Sequence, residues 1–379
     1  MRIGLIAPVV ESVPPARYGG TERVVSVLTE GLVRRGHDVT LFASGDSQTR
    51  ATLVSMTSRS LRLDPQVRDV VAATLTHVGE AMRRSDEFDV IHNHVDYIAW
   101  PFARMARAPM ITTAHGRLDL AEIRKLYSSF PEQRLVSISW AQRNPLPHLN
   151  WIGNVYNGID LDNYHFRPQP GEYLVFLGRI SIEKRPDRAI EIARDASMRL
   201  IIAAKVDDVD RAYWEHAIEP LVNSSRLIEY IGEVNEQEKD ELLGGSYAYL
   251  FPIDWPEPFG LTMAESMATG TPVITYRIGS TPEIVVDGVT GFVCSSLRGM
   301  IEAVDRIPSL DRRACRAHVE RHFSPESMVA GYEALYEPVA AGRPCPPRVA
   351  TLERGVAAVD QLIASDIAME SPLGVPASD

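Results

Sequence analysis

Short apolar runs alternate along the chain with longer stretches whose apolar positions recur every three or four residues. The runs predict buried strands and the longer stretches predict helices. Strands are expected at Arg2–Ala7, Asp38–Ala43, Phe88–His92, Met110–Ala114, Arg134–Ile138 and Ile152–Tyr156. The pattern then restarts at Glu172–Gly178 and continues through Arg199–Ala203, Arg226–Ile231, Tyr247–Phe251 and Pro272–Thr275. Helices are expected at Thr21–Arg35, with Gly36 beyond its end, and at Pro65–Arg84. They dominate from Leu297 to Tyr336, and one more is expected at Leu352–Ala364 before a disordered end at Ser371–Asp379. Strands that are apolar throughout and alternate with helices predict α/β architecture: parallel sheets covered on both faces.

The break between the two halves falls at Leu161–Gly171, a polar stretch carrying Pro168 and Pro170. Two doubly wound sheets therefore face each other, and ligands of such sheets sit at the carboxyl ends of the strands. The residues just after the strands are the informative ones.

Composition narrows the chemistry. Among 379 residues, 45% are hydrophobic, enough for two cores, and the net charge is -11. An acidic field disfavours nucleic acid, so a phosphate ligand has to be met by local cations. Three cysteines without a Cys-x-x-Cys pair argue against a disulfide framework or a structural zinc site. The short apolar start stops at Pro8 and reads as a strand, and no run is long enough to span a membrane. A cytoplasmic protein is expected.

The strongest local signal follows the strand Tyr247–Phe251. It runs from Pro252 through Glu257, Pro258, Phe259, Gly260 and Leu261 to Glu265. Two prolines and a glycine force a tight loop ahead of a helix. The helix start offers free N–H groups at Phe259, Gly260 and Leu261 for a diphosphate. Glu257 and Glu265 can each accept paired hydroxyls of a sugar or ribose. After the strand Glu172–Gly178 come Arg179, Lys184 and Arg185, cations able to meet phosphate. Gly19-Gly20-Thr21-Glu22 opens the first helix with Thr21 as its cap, and no Gly-x-Gly-x-x-Gly follows that strand. His115 closes the strand Met110–Ala114. His92, Asn93, His94 and Asp96 read as a cleft wall or a second-substrate site rather than a metal site. Asp207, Asp208 and Asp210 read as helix-start residues, and Ser139 and Trp140 as the acceptor side.

Together these segments resemble the retaining glycosyltransferases of family four, whose mark is two glutamates separated by seven residues. The resemblance runs from about Met1 to Tyr336. It includes Gly19–Glu22, Thr113–Gly116, Phe176–Arg179 with Lys184, Glu257–Glu265 and Gly279–Gly291, where Ser280 replaces the usual second glycine. It implies the GT-B fold: an N-terminal Rossmann-like acceptor domain over 1–165 and a C-terminal donor domain over 166–323. A helix over 324–340 returns to the first domain, and a tail covers 341–379. It implies metal-independent transfer from a nucleotide-diphosphate sugar, with UDP the expected nucleotide, to a small-molecule or lipid-linked acceptor. Glu265 then binds the ribose and Glu257 the transferred sugar. Arg179 and Lys184 hold the diphosphate, Gly19 and Gly20 close over it, and His115 faces the reacting carbon. A GT-B nucleotide-sugar epimerase and a non-catalytic sugar-nucleotide binder are the alternatives. No cofactor and no metal are implied.

Overall fold

The computed structural model describes residues 1–17 and 19–345; Tyr18, the expected helix at Leu352–Ala364 and the end at Ser371–Asp379 lie outside the described residues. Seven strands form the first sheet: β1 (Arg2–Ile6), β2 (Asp38–Phe42), β3 (Thr52–Val54), β4 (Val90–Asn93), β5 (Met110–Thr113), β6 (Arg134–Ser137) and β7 (Trp151–Asn154). Their order is β3-β2-β1-β4-β5-β6-β7. Six strands form the second: β8 (Tyr173–Arg179), β9 (Arg199–Lys205), β10 (Ile228–Gly232), β11 (Ala248–Phe251), β12 (Val273–Tyr276) and β13 (Gly291–Cys294), in the order β10-β9-β8-β11-β12-β13. Every pairing is parallel.

Strand alternation explains the covering of both faces. In the first sheet Ile3, Leu5 and Leu41 point to one core and Ile6, Phe42 and Ile91 to the other. In the second, Val175, Leu177 and Ile201 point one way and Leu174, Phe176 and Ile202 the other. Helix Pro325–Ala340 lies on the first sheet, where Val329, Tyr332 and Tyr336 are buried beside Ile3 and Leu5. Helix Arg312–His322 instead sends Cys315 and Val319 into the second sheet's core. The described residues up to Cys345 make one compact unit, so the seam between the two sheets is part of a single body.

Some elements differ from the sequence expectation. The second helix spans Val70–Arg83, because the Asp69 carboxylate accepts the Ala72 N–H and starts it there. The first begins at Gly20 and has no side-chain cap, so Thr21 is inside the helix and not its cap. β3 and β13 were not expected: three and four residues are too few to show a period. Asp207, Asp208 and Asp210 do stand at a helix start, Asp207 at the cap position of the turn Asp208–Asp210 and Asp210 at that of Arg211–Tyr213, though the Asp207 side chain makes ion pairs and not a cap bond.

In each sheet the strand order reverses where two neighbours run out to opposite sides: between β1 and β4, and between β8 and β11. Loops leaving those ends diverge and open a crevice. The segments after β1, β4, β8 and β11 are those the sequence marks.

Candidate active site

The loop after β11 is clamped into one shape. Gly260 adopts φ 79°, and a side chain there would meet the Met263 methyl at 2.6 Å. It caps helix Leu261–Ala268, whose first N–H groups open toward the crevice. Gly279, at φ 56°, lies against the loop so closely that a Cβ would come within 2.6 Å of the Glu257 nitrogen. Ser280 donates its N–H to the Glu257 carbonyl and its hydroxyl to the Phe259 carbonyl, both at 3.0 Å. The serine that departs from the family glycine thus braces the Glu257 loop. The neighbouring Glu283 reaches the other lobe, accepting the N–H groups of Trp140 and Ala141 at 2.8 and 2.6 Å and the Tyr156 hydroxyl.

Glu257 receives Lys184 Nζ at 2.5 Å. The ammonium also lies 5.1 Å from the Phe251 ring centre and 5.2 Å from that of Trp255. Glu265 is buried and accepts Lys239 Nζ at 2.8 Å. Burial opposes its ionisation, but Lys239 and Arg23 outweigh burial and hold its carboxyl below the usual range. Lys239 also pairs with Glu236 at 2.7 Å, and Glu236 with Arg23 at 2.8 Å. Arg23 belongs to the first lobe, so this chain of charges crosses the seam.

In the first lobe, Gly19 and Gly20 lead into helix Gly20–Arg34. A Cβ on Gly20 would stand 3.3 Å from Leu261, so this loop touches the donor-side helix tip. Glu22 is buried behind it, and burial pushes its carboxyl up to about 7. Glu11 pairs with Arg62 at 2.5 Å. His115 is held from both sides of the backbone, because Gln142 Nε2 donates to the Ala114 and Gly116 carbonyls at 2.9 Å each. Its Nε2 lies 2.8 Å from His94 Nδ1. Burial lowers the His115 pKa to about 4, so the imidazole is neutral at pH 7. His92 sits behind, between the hydroxyls of Tyr336 and Thr113 at 2.7 Å each. Among the described residues, no group of three or more His, Cys, Asp or Glu is arranged to hold a metal ion.

Among the described residues, two cavities along the seam hold most of the marked side chains. The first, about 410 Å³, is bordered by Glu11, Glu22, His115 and Glu257 together with the loop Phe259–Leu261. The second, about 170 Å³, is bordered by Gly178, Glu233, Lys239, Thr262 and Glu265. Gly19, Gly20, Lys205 and Leu261 border both, so the cavities meet there. Eight of the ten residues singled out by sequence line this space: Gly19, Gly20, His115, Glu257, Phe259, Gly260, Leu261 and Glu265. Arg179 and Lys184 border neither cavity. Arg179 faces Asp207 at 3.6 Å, and Lys184 stands behind Glu257. Sequence reasoning missed Lys205, Lys239, Arg62, Glu11 and Gln142. Lys205 left a signal, as the first charge after the buried run Leu200–Ala204 at a strand's carboxyl end. Lys239 and Gln142 left none, because each is named only by what it meets from a distant segment.

Two facing, doubly wound sheets with this crevice at their strand ends define a GT-B molecule. The chain belongs to the family-four glycosyltransferases. The family described as Glycosyltransferase Family 4 matches residues 18–163, and that described as Glycosyl transferases group 1 matches residues 160–311. The chain is 26% identical to a glycogen synthase of Mycobacterium tuberculosis over 406 residues, covering 90% of this chain and 97% of that protein. It is 24% identical to the phosphatidyl-myo-inositol mannosyltransferase of the same organism, covering 77% and 82%. Among solved structures, a glycosyltransferase involved in avilamycin A biosynthesis superposes with TM-score 0.71 at 22% identity, covering 90% and 98%. Anabaena HepE, in complex with UDP and glucose, gives TM-score 0.70 at 15% identity, covering 89% and 99%.

Proposed function

We propose that the protein transfers a glycosyl group from a UDP-sugar to an acceptor hydroxyl with retention of anomeric configuration and without a metal ion. The observation that carries this reading is the division of the two glutamates. Glu257 borders the larger cavity and Glu265 the smaller, on either side of the helix tip at Leu261. A nucleoside sits by Glu265, which accepts the ribose hydroxyls. The sugar sits by Glu257 and His115. The diphosphate between them meets the N–H groups at Phe259–Leu261 and the Gly19-Gly20 backbone. Similarity to a UDP-bound neighbour supports the nucleotide.

Charge develops on the diphosphate as the sugar leaves. The helix start, Arg179 and Lys184 stabilise it, the task a metal performs elsewhere. Asp207 and Glu257 hold those two cations in this structure, and diphosphate oxygens compete with them for Arg179 and Lys184. The acceptor hydroxyl attacks from the face the diphosphate leaves, and its proton passes to the leaving phosphate. Neutral His115 cannot supply a cation, so it contributes hydrogen bonding. The acceptor, a small molecule or a lipid-linked one, enters beside Glu11, Glu22 and Arg62. No described helix is long and apolar enough to cross a membrane; a cytoplasmic location is part of the proposal.

The deciding experiment screens UDP-, GDP- and ADP-sugars by thermal shift, then follows turnover of the binder by NMR. A ligand at 100 times its dissociation constant adds about 2.7 kcal/mol of stability. Retention predicts a product whose anomeric configuration matches the donor's; inversion sinks the stereochemical part. In Arg179→Ala with Lys184→Ala, turnover should fall by about 10²–10³. A loss of only a few-fold refutes their role.

A further inference from the structure

We infer that Lys205 is a further cation gripping the donor diphosphate, beside Arg179 and Lys184; this rests on the nucleotide-sugar reading above. The argument begins with where a diphosphate has to lie. If the nucleoside fills the cavity at Glu265 and the sugar the cavity at Glu257, the linking phosphates cross the junction. Four residues border both cavities, Gly19, Gly20, Lys205 and Leu261, and Lys205 alone of them carries a charge. The two cations that the sequence marks for this task border neither cavity.

The crossing needs a full positive charge. Glu11, Glu22 and Glu257 line one side of it with Arg62, and Glu233, Glu236 and Glu265 the other with Arg17, Arg23 and Lys239; Arg62, Arg23 and Lys239 are each paired with a carboxylate there. With those charges paired on either side, a diphosphate at the crossing gains most from a cation placed at the crossing itself. The backbone amides of Gly19, Gly20 and the helix tip contribute partial charges only. Lys205 ends β9, beside Arg179 on β8, its partner in register. Asp207 accepts Lys205 Nζ at 2.7 Å and faces Arg179 at 3.6 Å, so one carboxylate orients both cations from the wall of the crevice. The charge of Lys205 also reaches across the first cavity: at Glu11 burial raises the carboxyl's pKa, and Arg62 and Lys205 oppose that rise. An ammonium with three donors suits two adjacent phosphates without demanding the planar fit of an arginine.

Calorimetric titration of the wild type, Lys205→Met and Lys205→Arg with UDP, GDP, ADP and the matching nucleosides tests the assignment. Lys205→Met should weaken the preferred nucleoside diphosphate by roughly tenfold to a hundredfold, the span of a hydrogen bond to a charged group. Nucleoside affinity should stay unchanged. Lys205→Arg should recover part of the loss, which also separates lost charge from lost packing. Wild-type diphosphate affinity in Lys205→Met overturns the inference. So does an equal loss of nucleoside and diphosphate, which means a collapsed site. A wild type that binds no nucleoside diphosphate fails differently, because it removes the donor reading itself.

Discussion

Glu22 and Gln142 carry the clearest consequences at the residue scale. Glu22 has an ordinary pKa near 4.5 and a folded one of about 7, set chiefly by burial. The folded protein therefore binds a proton here that the unfolded chain has released. This contribution to stability is complete below about pH 4.5 and is lost as pH rises through 7. Glu22→Gln should melt higher than the wild type at pH 8 and about equally at pH 4.5, as read by thermal unfolding across pH. An unchanged difference at the two pH values would contradict the assignment. Gln142 brackets His115 with two bonds to Ala114 and Gly116 and accepts the Ile138 N–H at 2.9 Å. Gln142→Ala leaves three backbone groups without this partner, at about 1–3 kcal/mol for each that stays unsatisfied. It should also release the His115 segment. Turnover should fall by about 10²-fold, the scale of a 1 Å misplacement; a steady-state assay beside a melting curve separates the two losses.

Among elements, the clamp around the Glu257 loop is the most exposed to test. Gly279 combines φ 56° with backbone neighbours at 2.6 and 2.7 Å from where a Cβ would sit. No rotamer change relieves a clash with main chain. Gly279→Ala should cost about 1–3 kcal/mol in backbone strain alone and move Glu257 relative to His115. The expected result is a lower melting temperature together with a loss in kcat larger than the loss in nucleotide affinity, since Glu265 is on a different element. Equal losses in both would mean general disorder. The type and order of the long elements were legible in the sequence, because buried parallel strands and helical periods are local patterns. Ends were less so. The second helix starts at Val70 because Asp69 can cap it, whereas Pro65 is a permissible but unused start. Thr21 is a good cap in isolation, yet the glycine turn before it begins the helix one residue earlier.

For the whole molecule, the decisive contacts join distant segments. Arg23 with Glu236 and Glu283 with Trp140 and Ala141 hold one lobe to the other. Helix Pro325–Ala340 buries Tyr332 and Tyr336 against the first sheet, their hydroxyls bonded to Thr113 and His92. Removing residues 325–345 should uncover that core and give an insoluble or unfolded chain, checked by expression and circular dichroism. Acid should unfold the protein for a related reason. Burial holds His77, His115 and His318 each down to about 4, from an ordinary 6.5. The unfolded chain binds protons at these sites before the folded protein does, so stability should fall as pH drops from about 6.5 to about 4. Urea midpoints measured across that range test this; a flat profile would mean that these imidazoles are charged or exposed.

By itself the sequence determined the α/β class, two doubly wound halves, the glutamate pair and the loops that carry the chemistry. Those features are written in periodicity and in residues adjacent along the chain. Tertiary structure decided how the charges around the crevice are paired. Asp207 takes both Arg179 and Lys205, Glu257 takes Lys184, and Glu265 takes Lys239 from another element. A side chain's partners are set by which strands and helices become neighbours, and that adjacency is a property of sheet order and not of local pattern.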